Sequence, residues 1–195
     1  MDEKERMTGQ GRNGINVALA ESLKELALQR PFEKITIKEI TDKAGVIRPT
    51  FYNHFQDKYE LLEWIIQTDL LEPMRPLLRN GMVQEAVVLL FANLEKEKSF
   101  YMRVAKMEGP ITFSEVANHC VQEILLEIIT ELMSGKEPEH PWLTPVIIAK
   151  YYAQSMCFAA LEWIASGMKF SPQEMAEAYQ YIITRSMDDI VRNLL

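Results

Sequence analysis

The sequence predicts an all-α protein of about nine helices. Apolar residues recur at helical spacing in most segments, and no segment shows sustained alternation of apolar and polar residues. No Asn-Gly or Asp-Gly hairpin signal separates β-rich runs. Helix-start patterns occur at Thr36-x-x-Glu39, Thr112-x-x-Glu115 and Ser171-Pro172-x-Glu174. The 195 residues, 48% of them apolar, suffice for one generous domain or two small ones that share a core.

The first part of the chain predicts an arm and one long helix. Residues 1–13 are polar and contain glycine, which predicts a flexible arm. Residues 14–29 repeat apolar side chains at helical spacing, and Pro31 marks the end of this helix because proline is not tolerated in a helix interior.

Three short helix signals follow. Thr36 and Glu39 form a capping pattern for a second helix, which ends at Gly45, a residue that can take the left-handed conformation of a tight turn. A third helix is expected from about residue 47, with Pro49 in its first turn. Asp57-x-x-Glu60 caps a fourth helix that extends to about Leu71. This succession predicts a helix-turn-helix over residues 35–64.

The remainder of the chain also predicts helices. The prolines of Glu72-Pro73-Met74-Arg75-Pro76 indicate a break, and residues 134–141 are polar and predict a loop. The expected helices span 83–97, 99–107, 114–133, 144–167 and 172–194.

The net charge of −7 is unevenly distributed along the chain. Residues 1–60 contain ten Lys or Arg and ten Asp or Glu, whereas residues 61–195 contain eleven and eighteen. A neutral segment can bind a phosphate backbone if its basic side chains cluster on one face. The overall acidity therefore does not exclude a nucleic-acid partner.

The third helix has a face suited to DNA. Phe51 and Phe55 are four residues apart and define the inward face, so Pro49 and Asn53 point outward. No acidic residue occurs between Lys43 and Gln56, as a surface that faces phosphates requires. An ordinary surface turn is the alternative interpretation, and the conjunction of capped helices, turn and acid-free helix disfavours it.

Individual side chains of this segment suggest roles. Arg48 can reach a guanine edge, and Pro49 and the Thr50 methyl group suit contact with a thymine methyl group. Tyr52 and His54 can donate hydrogen bonds to phosphates. Lys58 and the N–H groups that open the fourth helix are expected to form an anion site.

The segment resembles the TetR (tetracycline repressor) family of bacterial regulators. The residues that carry the resemblance are Thr36-Ile37-x-x-Ile40-x-x-x-Ala44-Gly45-Val46-x-x-x-Thr50-Phe51-Tyr52-x-His54-Phe55-x-x-Lys58-x-x-Leu61. The chain departs from the family at Ile47, where a Ser or another polar N-cap is common. Pro49 partly offsets the missing cap by fixing φ.

The resemblance implies a homodimer with two helix-turn-helix heads that bind a palindromic operator in double-stranded DNA. It divides the chain into a DNA-binding domain at 14–58 and a regulatory and dimerisation domain at 59–195. By motif position, it places near bases Lys38, Arg48, Pro49, Thr50 and Tyr52, and near phosphates Thr36, His54 and Lys58.

The C-terminal half predicts a dimer interface. The segment 144–167 is apolar on nearly all faces, which requires burial on all sides. A partner subunit is the economical way to bury it. The resemblance implies a dimer interface from the segments 144–167 and 172–194 of each subunit.

The resemblance also implies a pocket for a small-molecule effector in the same half. Aromatic, methionine and histidine residues in its helices are candidates for the lining, although such residues are also common core filler. The candidates are Phe91, Tyr101, Met102, Phe113, His119, Tyr151, Tyr152 and Met156. Control by a protein partner instead of a small ligand is the alternative. The last third also resembles regulators associated with dihydroxyacetone kinase operons, on Tyr151-Tyr152, Cys157, Leu161-Glu162-Trp163 and Ser171-Pro172-Gln173-Glu174-Met175.

Other classes of function find little support. The chain has three histidines and two cysteines, and it lacks HExxH, GxSxG and CxxC, so no catalytic residue, metal site or cofactor is expected. Its apolar stretches are too short to span a bilayer, and its charged N-terminus is not a signal peptide. Cys120 and Cys157 are expected to be buried thiols in a reducing cytoplasm. We therefore expect a cytoplasmic bacterial regulator. The family resemblance suggests a repressor, but the residues do not distinguish repression from activation.

Overall fold

The computed structural model describes residues 3–135, 138 and 140–192, without the side chains of residues 3–12 and 187. It confirms the all-α prediction, and the described residues contain no strand. The α-helices are α1 Glu3–Gln29, α2 Ile37–Ala44, α3 Arg48–Tyr52, α4 Lys58–Ile66, α5 Arg75–Arg79, α6 Val83–Lys96, α7 Lys98–Val104, α8 Phe113–Leu132, α9 Pro145–Ala165, α10 Pro172–Ile183 and α11 Met187–Arg192. No described helix is long and apolar enough to cross a membrane.

The N-terminal helices form a head that shares its core with the rest of the molecule. Helix α1 packs against α2, α4 and α7, and α4 also packs against α8. In the body, α8 lies along α9 and α10 lies along α6. Buried side chains of the head, such as Leu23 and Ile40, belong to the same cluster as Phe91 and Ile128 of the body. The helix-turn-helix is therefore packed directly against the body through a shared hydrophobic core.

Three helices begin at the capping boxes that the sequence predicts. Thr36, Thr112 and Ser171 each accept a hydrogen bond from the backbone N–H three residues later, and the Glu at that position bonds back to the cap. Each box satisfies N–H groups that a helix start leaves without partners. The predicted turn glycine, Gly45, lies in the left-handed region with φ 70°.

The structure corrects the N-terminal boundary. Residues 1–13 are predicted to form an arm, whereas α1 begins at Glu3; Met1 and Asp2 lie outside the described residues. The run Glu3-Lys4-Glu5-Arg6-Met7 consists of residues with high helix propensity. It lacks an apolar stripe, and a search based on apolar periodicity therefore does not detect this part of the helix.

Two further boundaries differ from the prediction. The expected helix over 172–194 ends at Ile183, and α11 begins after Ser186, whose hydroxyl accepts a hydrogen bond from the backbone N–H of Asp189 at 3.1 Å. The expected break after Leu71 contains the short helix α5. The predicted loop at 134–141 lies partly outside the described residues.

Helix α4 continues as a π-helical turn, Gln67–Leu71, and a short 3-10 turn, Glu72–Met74. This stretch joins the head to the body and accounts for the predicted extension of α4 to Leu71. The hydrogen bonds of a π-helical turn span one residue more than those of an α-helix, and such turns occur often at functional sites.

A buried ammonium group links α1 to this π-helical turn. Lys24 is 8% exposed, and its Nζ lies 2.7 Å from Asp69 Oδ2, 3.1 Å from Glu21 Oε1 and 3.8 Å from Glu97 Oε1. Burial alone would lower the pKa of Lys24, but the hydrogen bonds and charges of Asp69 and Glu21 outweigh it and raise the pKa. The ammonium is therefore charged at neutral pH, and the ion pair contributes to stability there.

Replacing Lys24 with Met should lower the free energy of unfolding by roughly 1–3 kcal/mol, because the substitution leaves the carboxylate of Asp69 without its counter-charge. Urea unfolding followed by circular dichroism measures this change. Lys169→Met, at an exposed position, is the matched control and should leave the midpoint unchanged. Equal midpoints for the two variants would show that the buried ion pair does not stabilise the junction.

Candidate nucleic-acid interface and apolar cavity

The short helix α3 is positioned by two buried phenylalanines. Phe51 and Phe55 are both buried, as their spacing predicts, and their rings lie 5.9 Å apart. Phe55 also packs edge-on against Trp64 of α4, with 6.2 Å between ring centroids. The preceding turn is closed by a hydrogen bond from the backbone N–H of Val46 to the carbonyl of Thr41 at 3.0 Å. The opposite face of α3 is thereby turned to solvent.

This outward face presents a cation beside a phenol. Arg48 Nη2 donates a hydrogen bond to the Tyr52 hydroxyl at 3.1 Å, and the guanidinium carbon lies 5.5 Å from the ring centroid. Tyr52 is 49% exposed, Pro49 and Asn53 are also exposed, and Thr50 is half-buried. Arg48 forms no ion pair with any described carboxylate. Among the described side chains, no acid neutralises the guanidinium.

The N-terminus of α3 has no side-chain cap. Ile47 occupies the cap position, makes no side-chain hydrogen bond and is 68% exposed. The first turn is closed by the backbone N–H of Thr50, which donates to the Ile47 carbonyl at 2.9 Å. The departure from the family pattern thus leaves an exposed apolar side chain beside Arg48.

His54 contacts α1. Its Nδ1 lies 2.6 Å from Oδ1 of Asn16, and the imidazole is half-buried between the two helices. This contact fixes the position of the C-terminal end of α3 relative to α1. Thr36 uses its side chain in the capping box of α2, and Lys38 is exposed and pairs with Asp42.

The structure corrects the role predicted for Lys58. Its Nζ donates hydrogen bonds to the carbonyl oxygens of Phe32, Glu33 and Ile35, each at 2.9 Å. An ammonium has three N–H bonds, so these carbonyls occupy all of them. Burial lowers the pKa of Lys58. The side chain therefore holds the 3-10 turn Phe32–Lys34 and is not directed at a phosphate.

Backbone N–H groups at the start of α4 also have hydrogen-bond partners within the protein. Oδ1 of Asp57 accepts hydrogen bonds from the backbone N–H groups of Tyr59 and Glu60, at 2.8 Å and 3.0 Å. These are the groups that the sequence suggests for an anion site. The protein's own carboxylate already binds them, which removes the expected site from this surface.

The body contains an apolar cavity of about 330 Å³. It lies among the π-helical turn, the helices α5, α6, α8, α9 and α10, and the short turn after Leu71. Its lining consists of Leu71, Met74, Leu78, Val83, Val87, Leu90, Val121, Ile124, Leu125, Ile128, Ile129, Leu132, Ile148, Tyr152, Met156, Tyr179 and Ile183. Two of the predicted pocket residues, Tyr152 and Met156, are in this lining.

The structure places the other six candidates away from this cavity. Phe91 and Tyr101 are fully buried in the core, where Phe91 packs edge-on against Trp163. Phe113 borders an adjacent void of about 40 Å³ that Met156 shares. Aromatic residues at these positions serve packing because their neighbours enclose them completely.

The remaining three candidates lie at the surface. Met102 lines a shallow depression beside Leu28 and Arg103. His119 is exposed on α8, and its Nε2 lies 3.4 Å from Oε1 of Glu123. Tyr151 is 66% exposed on the outward face of α9. The wall of the cavity is mainly aliphatic, and aliphatic residues carry no sequence signal that separates a cavity wall from a core.

The two halves of the chain match known families. Residues 20–65 match the family described as bacterial regulatory proteins, tetR family, and residues 82–185 match a transcriptional regulator C-terminal region of the same group. The second match alone covers more than half of the chain. The chain belongs to the TetR family of bacterial transcriptional regulators. Members of this family bind DNA operators and form dimers.

A relative and two solved structures extend this result. The HTH-type dhaKLM operon transcriptional activator DhaS of Lactococcus lactis subsp. lactis (strain IL1403) is 26% identical over 151 residues, 76% of this chain and 79% of that protein. This match confirms the likeness to regulators of dihydroxyacetone kinase operons.

The structure of the dihydroxyacetone kinase operon activator DhaS has a TM-score of 0.60 at 22% identity, over 87% of this chain and 94% of its own. Native NalD, the secondary repressor of the MexAB-OprM multidrug efflux pump in Pseudomonas aeruginosa, has a TM-score of 0.62 at 19% identity. It covers 89% of this chain and 96% of its own. At these identities the two structures show the TetR fold alone, and one is an activator while the other is a repressor.

Replacing Lys58 with Met should lower the free energy of unfolding by roughly 1–3 kcal/mol, because three carbonyls lose their donor. The salt dependence of DNA binding should stay as in the unaltered protein, since the ammonium does not face phosphates. Urea unfolding and DNA affinity at several salt concentrations measure the two effects. Lys38→Met, at an exposed position on α2, is the control and should leave the free energy of unfolding nearly unchanged. A reduced slope with unchanged stability in the Lys58 variant would contradict this assignment.

Proposed function

We propose that this TetR-family regulator is a homodimer that binds a palindromic operator through α3, and that a small-molecule effector in the C-terminal domain controls its DNA affinity. One observation carries the first part: the exposed face of α3 is free of acid and presents Arg48 against Tyr52, on a helix fixed by buried phenylalanines. In this proposal residues 14–58 bind DNA and residues 59–195 regulate and dimerise. The protein works by binding, not catalysis, in the cytoplasm of a bacterium.

The proposed contacts follow from motif position and side-chain chemistry. Side chains near the bases are Lys38, Arg48, Pro49, Thr50, Tyr52 and Asn53, and those near phosphates are Thr36 and His54. Arg48 is the best candidate for a guanine because a guanidinium can donate two parallel hydrogen bonds to one base edge. Lys58 is left out because its ammonium is already bound to carbonyls.

The outward faces of α9 and α10 support the proposed dimer. Tyr151 and Phe158 are 66% and 68% exposed on α9, and Ile182 of α10 is 62% exposed. Large apolar side chains concentrated on two neighbouring helices mark an interaction surface. In a two-fold dimer the same surface of each protomer can cover these side chains. The proposed interface therefore lies within the segments 144–167 and 172–194.

The position of the cavity supports effector control. Leu71 and Met74 belong to its wall, and both lie in the turns that continue α4 from the head. Helix α4 begins next to α3 and packs against α1 and α8. A ligand that changes the width of the cavity thus acts on an element that extends into the DNA-binding head, which gives it a route to alter operator affinity.

Control by a protein partner is the second candidate. The observation that favours it is the cavity lining, in which two tyrosines are the only polar side chains among the described residues. Small-molecule sites usually contain several convergent polar groups that fix the orientation of the ligand. DNA binding that responds only to a second protein, and to no small molecule, would support this candidate over the first.

Sequencing the DNA fragments that the purified protein retains from a random pool should recover a palindromic sequence. Tyr52→Ala should lose this selection, and Arg48→Ala should relax preference at one base position per half-site, at a cost of about 1–3 kcal/mol there. Arg103→Ala, an exposed arginine on α7, is the matched control and should select the original sequence. The same random pool retained by all four proteins would exclude specific DNA recognition.

Phe158→Asp should convert the dimer to a monomer, because a charge at the centre of the proposed interface remains without a partner when buried. Analytical ultracentrifugation measures the mass. Ile47→Asp is matched in exposure, 68% for both residues, but lies on the DNA-binding head and should leave the dimer intact. A dimeric Phe158 variant would place the interface elsewhere on the protein.

A further inference from the structure

The chemistry of the cavity wall is unusually uniform. Fifteen of its seventeen lining side chains are Leu, Ile, Val or Met, and the other two are Tyr152 and Tyr179. Within the described part of the chain, no Lys, Arg, His, Asp, Glu, Asn, Gln, Ser or Thr side chain contributes to the wall. A charged ligand that enters this space would lose its hydration and find neither a counter-charge nor a set of hydrogen-bond donors.

The space has a defined size. A volume of about 330 Å³ is large for a packing defect and lies at the lower end of the range for small-molecule sites. At about 30 Å³ for each non-hydrogen atom, the share of one molecule in liquid water, the cavity holds on the order of ten such atoms. Met74 and Met156 lie in the wall, and their unbranched thioether side chains can adapt to the shape of a flexible chain.

We propose that this cavity takes an uncharged, predominantly hydrocarbon small molecule with on the order of ten non-hydrogen atoms. The assignment rests on the proposed function, in which the same cavity is the effector site. Binding is driven by the transfer of aliphatic groups from water to the aliphatic wall.

Isothermal titration of the whole protein with 1-hexanol, 1-octanol and 1-decanol tests the proposal. The affinity should rise about fourfold for each added methylene group until the cavity is full, which is the increment expected for burying that group. Decanoate carries the same chain with an ionised carboxylate and should bind at least tenfold more weakly than 1-decanol. Equal or tighter binding of decanoate, or no binding by any of the alcohols, overturns the proposal.

A variant pair locates the site. Val87→Phe places a bulky ring in the wall of the cavity and should weaken 1-decanol binding at least tenfold. Val88→Phe is the matched control because Val88 is the next residue on α6 and is not part of the wall, so its affinity should be unchanged. Equal loss in both variants places the alcohol elsewhere and overturns the assignment. The alcohol series on the unaltered protein tests the ligand class even if a variant does not fold.

Operator binding is measured separately, so that failure of the proposed ligand class can be distinguished from failure of the proposed operator function. Selective DNA retention without alcohol binding overturns the ligand class and leaves the DNA-binding function standing. Alcohol binding in the expected pattern without any selective DNA retention supports the ligand class and overturns the proposed operator function.

Discussion

The DNA-binding face depends on the burial of Phe51 and Phe55. Helix α3 has only five residues and no side-chain cap, and an isolated helix of that length is not stable in water. Its conformation is therefore imposed by tertiary packing, through two aromatic rings that extend into the core shared by head and body. The same packing decides which side chains face outward. Arg48 and Tyr52 are presented together because the phenylalanines leave them no other orientation.

Two lysine ammonium groups, one buried and one half-buried, fix the head to its surroundings. Lys58 gathers three carbonyls of the turn after α1, and Lys24 gathers carboxylates from α1, the π-helical turn and the α6–α7 corner. In each case one ammonium lies close to three oxygen acceptors. Lysines that look like ordinary surface cations in the sequence thus act as connectors between distant segments, and neither contributes positive charge to the DNA-binding face.

Local patterns in the sequence predict the fold well. Capping motifs and the spacing of Phe51 and Phe55 involve neighbours within one or two helical turns, so they can be recognised without the tertiary structure. The carbonyl groups that bind Lys58 cannot be recognised in this way, because they lie more than twenty residues earlier in the chain. The lining of the cavity could not be predicted from local patterns either. Of the predicted lining residues, only Tyr152 and Met156 belong to it. The candidates were chosen by residue type, as aromatic, methionine and histidine side chains. The cavity instead depends on how the helices pack and on where their aliphatic side chains leave space unfilled.

The π-helical turn has a mechanical consequence. Asp69, which binds the Lys24 ammonium, and Leu71, which lies in the cavity wall, are two residues apart on this single turn. Covalent geometry allows two such residues little independent displacement, since consecutive Cα atoms are held about 3.8 Å apart. A shift of the turn that widens or narrows the cavity therefore moves the carboxylate that anchors α1. Movements of the body and of the head are therefore coupled through this one π-helical turn.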